Sequence, residues 1–228
     1  MTETPPPHWH GHRDRLRSKL LNRGAEALDD YEVLEVILMA FIPRRDVKPI
    51  AKALLARFGG LSAILAAPAA DLVKVDGIGE TVAAYFRAIS EMHSRAGREE
   101  IKAREVISSW TVLVAYVRRE MQHEPREQFR VLFLDRKNQL ILDEVMGRGT
   151  VDHAPVYPRE VARRALEVQA SSLVLVHNHP SGDPQPSRAD IDITRGLIDA
   201  LEPFDINVHD HLIVGTKGVV SLRSSGLI

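Results

Sequence analysis

Near the C-terminal end of the chain, His177, His179 and Asp190 combine residue types and spacings that could hold a metal ion. They lie in Leu173-Val-Leu-Val-His177-Asn178-His179-Pro180-Ser181-Gly182-Asp183-Pro184-Gln185-Pro186-Ser187-Arg188-Ala189-Asp190. An apolar run ends on the first imidazole, so both histidines belong to the end of a strand. Side chains alternate across a strand, and residues two apart leave on the same side, close enough to share an ion. Pro180 stops the ladder and turns the chain, and Asp190 returns from the first turn of the next helix. Two neutral imidazoles and one carboxylate leave a fourth tetrahedral position for water, as in catalytic rather than structural zinc sites.

Each half of this constellation has a plainer reading. A histidine at a strand end is usually a hydrogen-bonded surface residue. Ser187-Arg-Ala-Asp190 also matches a helix capping box, with Asp where Glu or Gln is commoner. Paired histidines on one face, a turn and an acidic helix start are much harder to obtain together without a metal. Ser187 can cap its helix while its hydroxyl faces the site.

The elements that must position these residues follow from periodicity. Arg126 to Asp135 and Gln139 to Met146 are apolar runs joined by Arg136-Lys137-Asn138, which predicts a strand, a tight turn and a second strand. Pro158 suits the first turn of a helix running to about Ala170. Ser172 to Val176 is continuously apolar, as expected of a strand buried on both faces. A helix from Ser187 to about Leu201 and strands near Val208 to Val214 and Val219 to Leu222 complete an α/β (α+β) layered domain. Before it, Arg13 to about Arg95 reads as helical throughout. Leu16 and Leu20 lie one turn apart, and Asp29 or Asp30 caps a helix with Val33, Val36, Ile37 and Ala40 on one face. Asp46 caps the next, through Ile50, Ala53 and Leu54, and Gly59-Gly60 precedes two short helical pieces. A helix from about Thr81 to Ser94 follows Gly77-Ile78-Gly79. The organisation expected is a disordered tail (1–12), a helical domain (13–96), a charged linker (97–105) and the α/β domain (106–228). Ser108-Ser109 offers a helix cap. His8, His10 and His12 could also hold a metal, although such terminal segments are usually just disordered.

Composition narrows the chemistry. The chain has 228 residues, 44% hydrophobic and 27% charged, an ordinary globular balance. With 30 basic and 31 acidic residues it has no global basic field to draw nucleic acid. The absence of cysteine leaves His, Asp and Glu as the metal ligands. No apolar run approaches the roughly twenty residues a spanning helix needs, so a cytoplasmic protein without membrane partners is expected.

The motif resembles a known family. His177-x-His179-Pro180, Ser187 eight residues after the second histidine and Asp190 three later resemble the JAMM (MPN+) zinc metalloprotease motif. The flanking HNHPSGDPQPSRADIDIT and the later DHLIVG are similar to the bacterial RadC family of that superfamily. The resemblance covers the C-terminal domain closely and the helical half more loosely. It implies a cytidine-deaminase-like layered fold and a zinc ion (Zn2+) on His177, His179 and Asp190. It further implies an amide-cleaving activity on a peptide or protein, with Ser187 assisting the developing oxyanion. A glutamate general base is implied outside the motif. Glu127, immediately before the first strand, is the best match, with Glu124, Glu144 and Glu160 as alternatives. Glu160 opens a helix, where the dipole favours an acid anyway. Asn178 stands where deubiquitinating members typically have Ser, and Gly182 follows Ser181, so no ubiquitin-like substrate is implied. Asp210 and His211 belong to the RadC pattern, but a strand-end histidine is more often structural, and both are left outside the site.

Gly77-Ile78-Gly79 between helical segments resembles a helix-hairpin-helix turn, in which glycines let the backbone approach a phosphate and helix-start amides hold it. Asp76 and Glu80 flank the turn and would repel that phosphate. Basic stretches at Arg13, Arg15, Arg17, Lys19 and Arg23, and at Arg44, Arg45 and Lys48, could add DNA contacts or simply be solvated helix faces. The competing function is therefore a DNA-associated protein, repair- or recombination-linked, that uses this hairpin. Its metal site would be structural or act on a phosphodiester.

Overall fold

The computed structural model describes residues 11–43, 45–102, 110–149 and 156–228. His8, His10, Arg44, Ser108-Ser109 and the end of the expected linker lie outside these. The chain divides into two compact units, Met1–Met92 and His93–Ile228.

The first unit is helical: α1 (His12–Arg23), α2 (Asp30–Phe41), α3 (Lys48–Phe58), α4 (Leu61–Ala66), α5 (Ala69–Leu72) and the start of α6 (Glu80–Lys102). A capping box between Asp29 and Glu32 starts α2. The Asp46 carboxylate accepts the Lys48 N–H at 3.0 Å where α3 begins. Leu34, Leu38, Ile50, Leu54, Ile64, Leu72 and Phe86 form the core. The buried stripe of α2 is Leu34, Glu35 and Leu38, not Val33, Val36, Ile37 and Ala40. α2 is apolar nearly all round, so its neighbours choose the face. On α3 the buried alanine is Ala51, and Ala53 is exposed. His12 is helical, and its Nε2 lies 2.9 Å from the buried Glu35 carboxylate. α6 continues to Lys102, through residues expected to begin a linker. Their Arg, Glu and Lys side chains are good helix formers, and Gly97 alone does not break the run.

The second unit is built on a five-stranded sheet in the order β2-β1-β3-β4-β5, with β1 Gln128–Leu134, β2 Leu140–Arg148, β3 Ser172–Asn178, β4 Asn207–Gly215 and β5 Gly218–Ser221. β1 runs antiparallel to β2 and β3, β3 parallel to β4, and β4 antiparallel to β5. Helices α7 (Trp110–Met121), α8 (Pro158–Glu167) and α9 (Arg188–Leu201) cover the sheet, and α9 is the crossover between the parallel strands. Alternation sorts the strands cleanly. Phe129, Val131, Phe133, Leu173 and Leu175 pack with Val161 and Ala165 of α8 and Leu197 and Leu201 of α9. Leu132, Leu134, Val174, Val176, Leu212 and Val214 pack on the other face with Leu113, Tyr116, Val117 and Met121 of α7. All of β3 is buried, as its continuous apolar run predicts. The protein is thus mixed α/β, helical first and sheet-based after. Among the described residues no helix is long and apolar enough to cross a membrane.

Odd-numbered residues of β3 face α9, so His177 emerges on the α9 side. The register between β3 and β4 shifts between Leu173 and Val174, which pair with Val208 and Asp210. This bulge places both Val208 and His211 on the α9 side. Because Phe133 is completely buried in that layer, Phe133→Ala should lower unfolding free energy by about 3–5 kcal/mol. Chemical denaturation monitored by far-UV circular dichroism measures it.

Candidate metal centre

The end of β3 and the start of α9 bring the sequence-nominated ligands together. His177 Nε2 and His179 Nε2 lie 2.9 Å apart. The Asp190 carboxylate sits 3.2 Å from the former and 3.5 Å from the latter. His177 is buried, while His179 and Asp190 are partly exposed, so the cluster opens to solvent on one side. Among the described residues this is the group of three with metal-ligand character.

The loop between β3 and α9 is held tightly. The His179 N–H donates to the Val214 carbonyl at 2.9 Å, and its Nδ1 lies 2.8 Å from the Asp183 carbonyl. Gly182 has φ 83°, and a Cβ on Gly215 would come within 2.4 Å of the Gly182 carbonyl oxygen. Glycine at both places lets the loop lie against β4. Ser187 then starts α9 with a reciprocal capping box. Its Oγ accepts the Asp190 N–H at 3.2 Å, and Asp190 Oδ2 accepts the Ser187 N–H at 2.6 Å. The cap leaves the other side of Asp190 available, because Oδ2 takes the Ser187 N–H while Oδ1 faces His177.

A buried relay behind His177 orients its ring. Thr194, one turn beyond Asp190 on α9, donates its hydroxyl proton to the Asp190 carbonyl. Its oxygen is then free to accept from His211 Nδ1, 2.6 Å away. His211 Nε2, left as an acceptor, lies 2.8 Å from His177 Nδ1, which must carry the proton. That leaves a lone pair on His177 Nε2. For His179, the Asp183 carbonyl requires the proton on Nδ1, so its Nε2 is also a lone pair. Phe129 stacks in parallel with His177 and meets His211 edge-on.

Three acceptors thus converge on one point. Protons can satisfy them only by charging an imidazole or neutralising Asp190, whereas a cation satisfies all three, so this donor set fits a metal such as zinc. In the metal-free chain, the Asp190 hydrogen bond outweighs burial and raises the His179 pKa, helped by the Asp183 carbonyl and the Asp190 and Glu127 charges. Burial works to raise the Asp190 carboxyl, but a proton held between it and the His177 and His179 nitrogens in the metal-free chain outweighs burial, and the carboxyl stays far below the usual carboxylate range. Complete burial, with His177 beside it, pushes His211 well below an ordinary histidine.

Sequence grounds leave His211 outside the site, and the structure places it directly against His177. Nothing in the sequence pattern marks Thr194 except its i+4 spacing from Asp190. Asp210 is structural. Its carboxylate accepts from the Ser221 hydroxyl, the Arg223 N–H and the His211 N–H, closing the turn after β5. Glu127 immediately precedes β1, half-buried, with its charge reaching His179. Of the alternatives, Glu144 pairs with Arg164, and Glu160 with Arg163. Glu124 accepts from the Gln128 side chain.

Residues 107–227 match the model of the family described as RadC-like JAB domain. The chain belongs to the RadC family of the JAB/MPN superfamily. Residues 8–84 of this RadC-family chain match a second model, described as UPF0758 N-terminal.

In that N-terminal unit, Gly77 and Gly79 join α5 to α6. Gly77 has φ 87°, and a Cβ there would meet the Ile50 side chain at 2.6 Å, so backbone conformation and packing account for this glycine without a phosphate. Gly79 faces open space. Asp76 and Glu80 are both exposed beside the turn. Several of the basic residues are internally engaged. Arg13 donates to the carbonyls of Met39, Ile42 and Arg45, and Lys19 pairs with Glu32. Arg17 pairs with Asp14, and Arg45 with Asp76.

The ionisation pattern has a testable sign. In the metal-free chain, the raised His179 contributes stability that is fully present below its unfolded value of 6.5 and lost as pH rises through the folded value. Asp190, depressed, contributes stability present above its unfolded value and lost as pH falls through the folded one. Histidine nitrogen NMR of chelator-treated protein should show His179 titrating above the ordinary range. His211 should remain neutral to well below it.

Proposed function

We propose that this RadC-family chain is a zinc-dependent amide hydrolase, a peptidase or isopeptidase, with the N-terminal helical unit as an accessory. The observation that carries the reading is the convergence of His177, His179 and Asp190 on one point, beside the Ser187 cap and within reach of the Glu127 charge. A zinc ion held by His177, His179 and Asp190 would supply a Lewis acid, able to acidify water to a pKa of about 7 and to polarise a carbonyl. His177 and His179 present Nε2 lone pairs in fixed tautomers, and Asp190 adds a negative charge whose helix cap keeps it in place. Glu127 accepts a proton from the attacking water and returns it to the leaving amine. The Ser187 oxygen already accepts the Asp190 N–H, so its own proton is free to donate to the developing oxyanion. The buried relay through His211 and Thr194 keeps the His177 proton on Nδ1.

No observation favours the DNA-associated alternative over this one. Asp76 and Glu80 would repel a phosphate at the Gly77–Gly79 turn, and intramolecular bonds occupy much of the basic surface. That alternative expects salt-dependent DNA binding that survives His177→Ala, whereas the hydrolase reading expects chelator-sensitive cleavage of an amide bond.

The decisive test pairs metal analysis with peptide-library profiling of the full chain. Wild type should hold zinc stoichiometrically, and His177→Ala and Asp190→Ala should lose both metal and cleavage. Glu127→Ala should keep the metal while turnover falls roughly 10²–10⁴-fold. A Glu127→Ala protein as active as wild type removes Glu127 from its role. Thr194→Val, close in size but unable to accept from His211, should weaken zinc binding about 10-fold or more in a chelator competition.

A further inference from the structure

Asn178, between the two histidines, points away from the metal side of β3 and is almost completely buried. Its side chain reaches the irregular segment that leads into β1. Oδ1 accepts the Gln128 N–H at 2.8 Å, and Nδ2 donates to the Glu124 carbonyl at 3.2 Å and the Arg126 carbonyl at 3.1 Å. An amide that uses its oxygen and both its hydrogens in this way is engaged at three of its four sites. The bonds to Arg126 and Gln128 grip the residues on either side of Glu127. The carbonyl of Glu127 itself accepts the Gly149 N–H at 2.9 Å, beyond β2. The backbone around Glu127 is therefore pinned to the strand end from which both histidines emerge, by the residue that separates them.

We propose that Asn178 is a positioning residue that fixes Glu127 relative to the metal ligands. This rests on the reading of Glu127 as general base. The chemistry of the position explains the choice of residue. A serine hydroxyl has a single proton to donate and would leave at least one of the two carbonyls without its donor. Aspartate would keep the acceptor for Gln128 but set a carboxylate oxygen against two carbonyls. Asparagine satisfies both carbonyls and the N–H together. Because His177 and His179 are its chain neighbours, a shift of β3 carries ligands and base together.

The test uses the full zinc-loaded chain with Asn178→Ala, Asn178→Ser, Glu127→Ala and the Asn178→Ala/Glu127→Ala double variant. In wild type the Gln128 amide should be protected from hydrogen exchange as well as the interior of β1. In the Asn178 variants it should exchange roughly tenfold faster or more, while zinc affinity stays at the wild-type level. On a peptide that wild type cleaves, Asn178→Ala should lower kcat about 100-fold with KM unchanged, and should cost nothing further in the Glu127→Ala background. An unprotected Gln128 amide in wild type overturns the proposal even if neither variant folds, as does exchange that the variants leave unchanged. A kcat loss that persists without Glu127, or a loss of zinc affinity, assigns Asn178 to another role and equally overturns it. If wild type cleaves no peptide at all, the hydrolase reading fails, and the clamp stands or falls on the exchange result alone.

Discussion

Two imidazole nitrogens 2.9 Å apart, facing a carboxylate at 3.2 and 3.5 Å, repel one another unless positive charge lies between them. Much of the second unit is arranged to enforce that arrangement. The central strand delivers His177 from a fully apolar run, Gly182 and Gly215 fold the loop back against β4, and Ser187 caps the helix that presents Asp190. Each of these devices is rigid and local. Together they hold three acceptors close without letting them relax apart.

The protons make the arrangement directional. The Asp183 carbonyl settles the tautomer of His179, and the chain from Thr194 through His211 settles that of His177. Both lone pairs consequently point at the same place. His211 can serve only as a neutral relay, and its burial keeps it neutral. The sheet contributes through a defect: the shifted register between β3 and β4 places His211 where the relay needs it. On the opposite face of the same strand, Asn178 ties in the backbone on either side of Glu127. One strand end thus serves the ligands on one side and that segment on the other.

Much of this was legible in the sequence because it depends on local pattern. The apolar run of β3, the capping box at Ser187, Pro158 at the first turn of α8 and the hairpin turn at Arg136-Lys137-Asn138 all came from neighbours in the chain. Residues two apart on a strand must share a face, so His177 and His179 could be paired without coordinates. Two elements depart from the local pattern for different reasons. The buried face of α2 cannot be chosen from an almost wholly apolar helix, and the charged stretch after Ser94 reads as a linker although its residues favour helix and continue α6.

The sequence by itself determined the element types, the mixed α/β class and the three-residue cluster with metal-ligand character, because strand alternation and helix capping act over a few residues. Tertiary structure alone decided that His211 and Thr194 stand behind His177 and that Asn178 holds the segment around Glu127. These contacts join residues 17 to 54 positions apart. They depend on strand order, on the bulge in β4 and on which strand ends meet, and no local periodicity encodes those. The opening cluster is therefore written in the sequence, while the proton bookkeeping that makes its acceptors converge belongs to the fold.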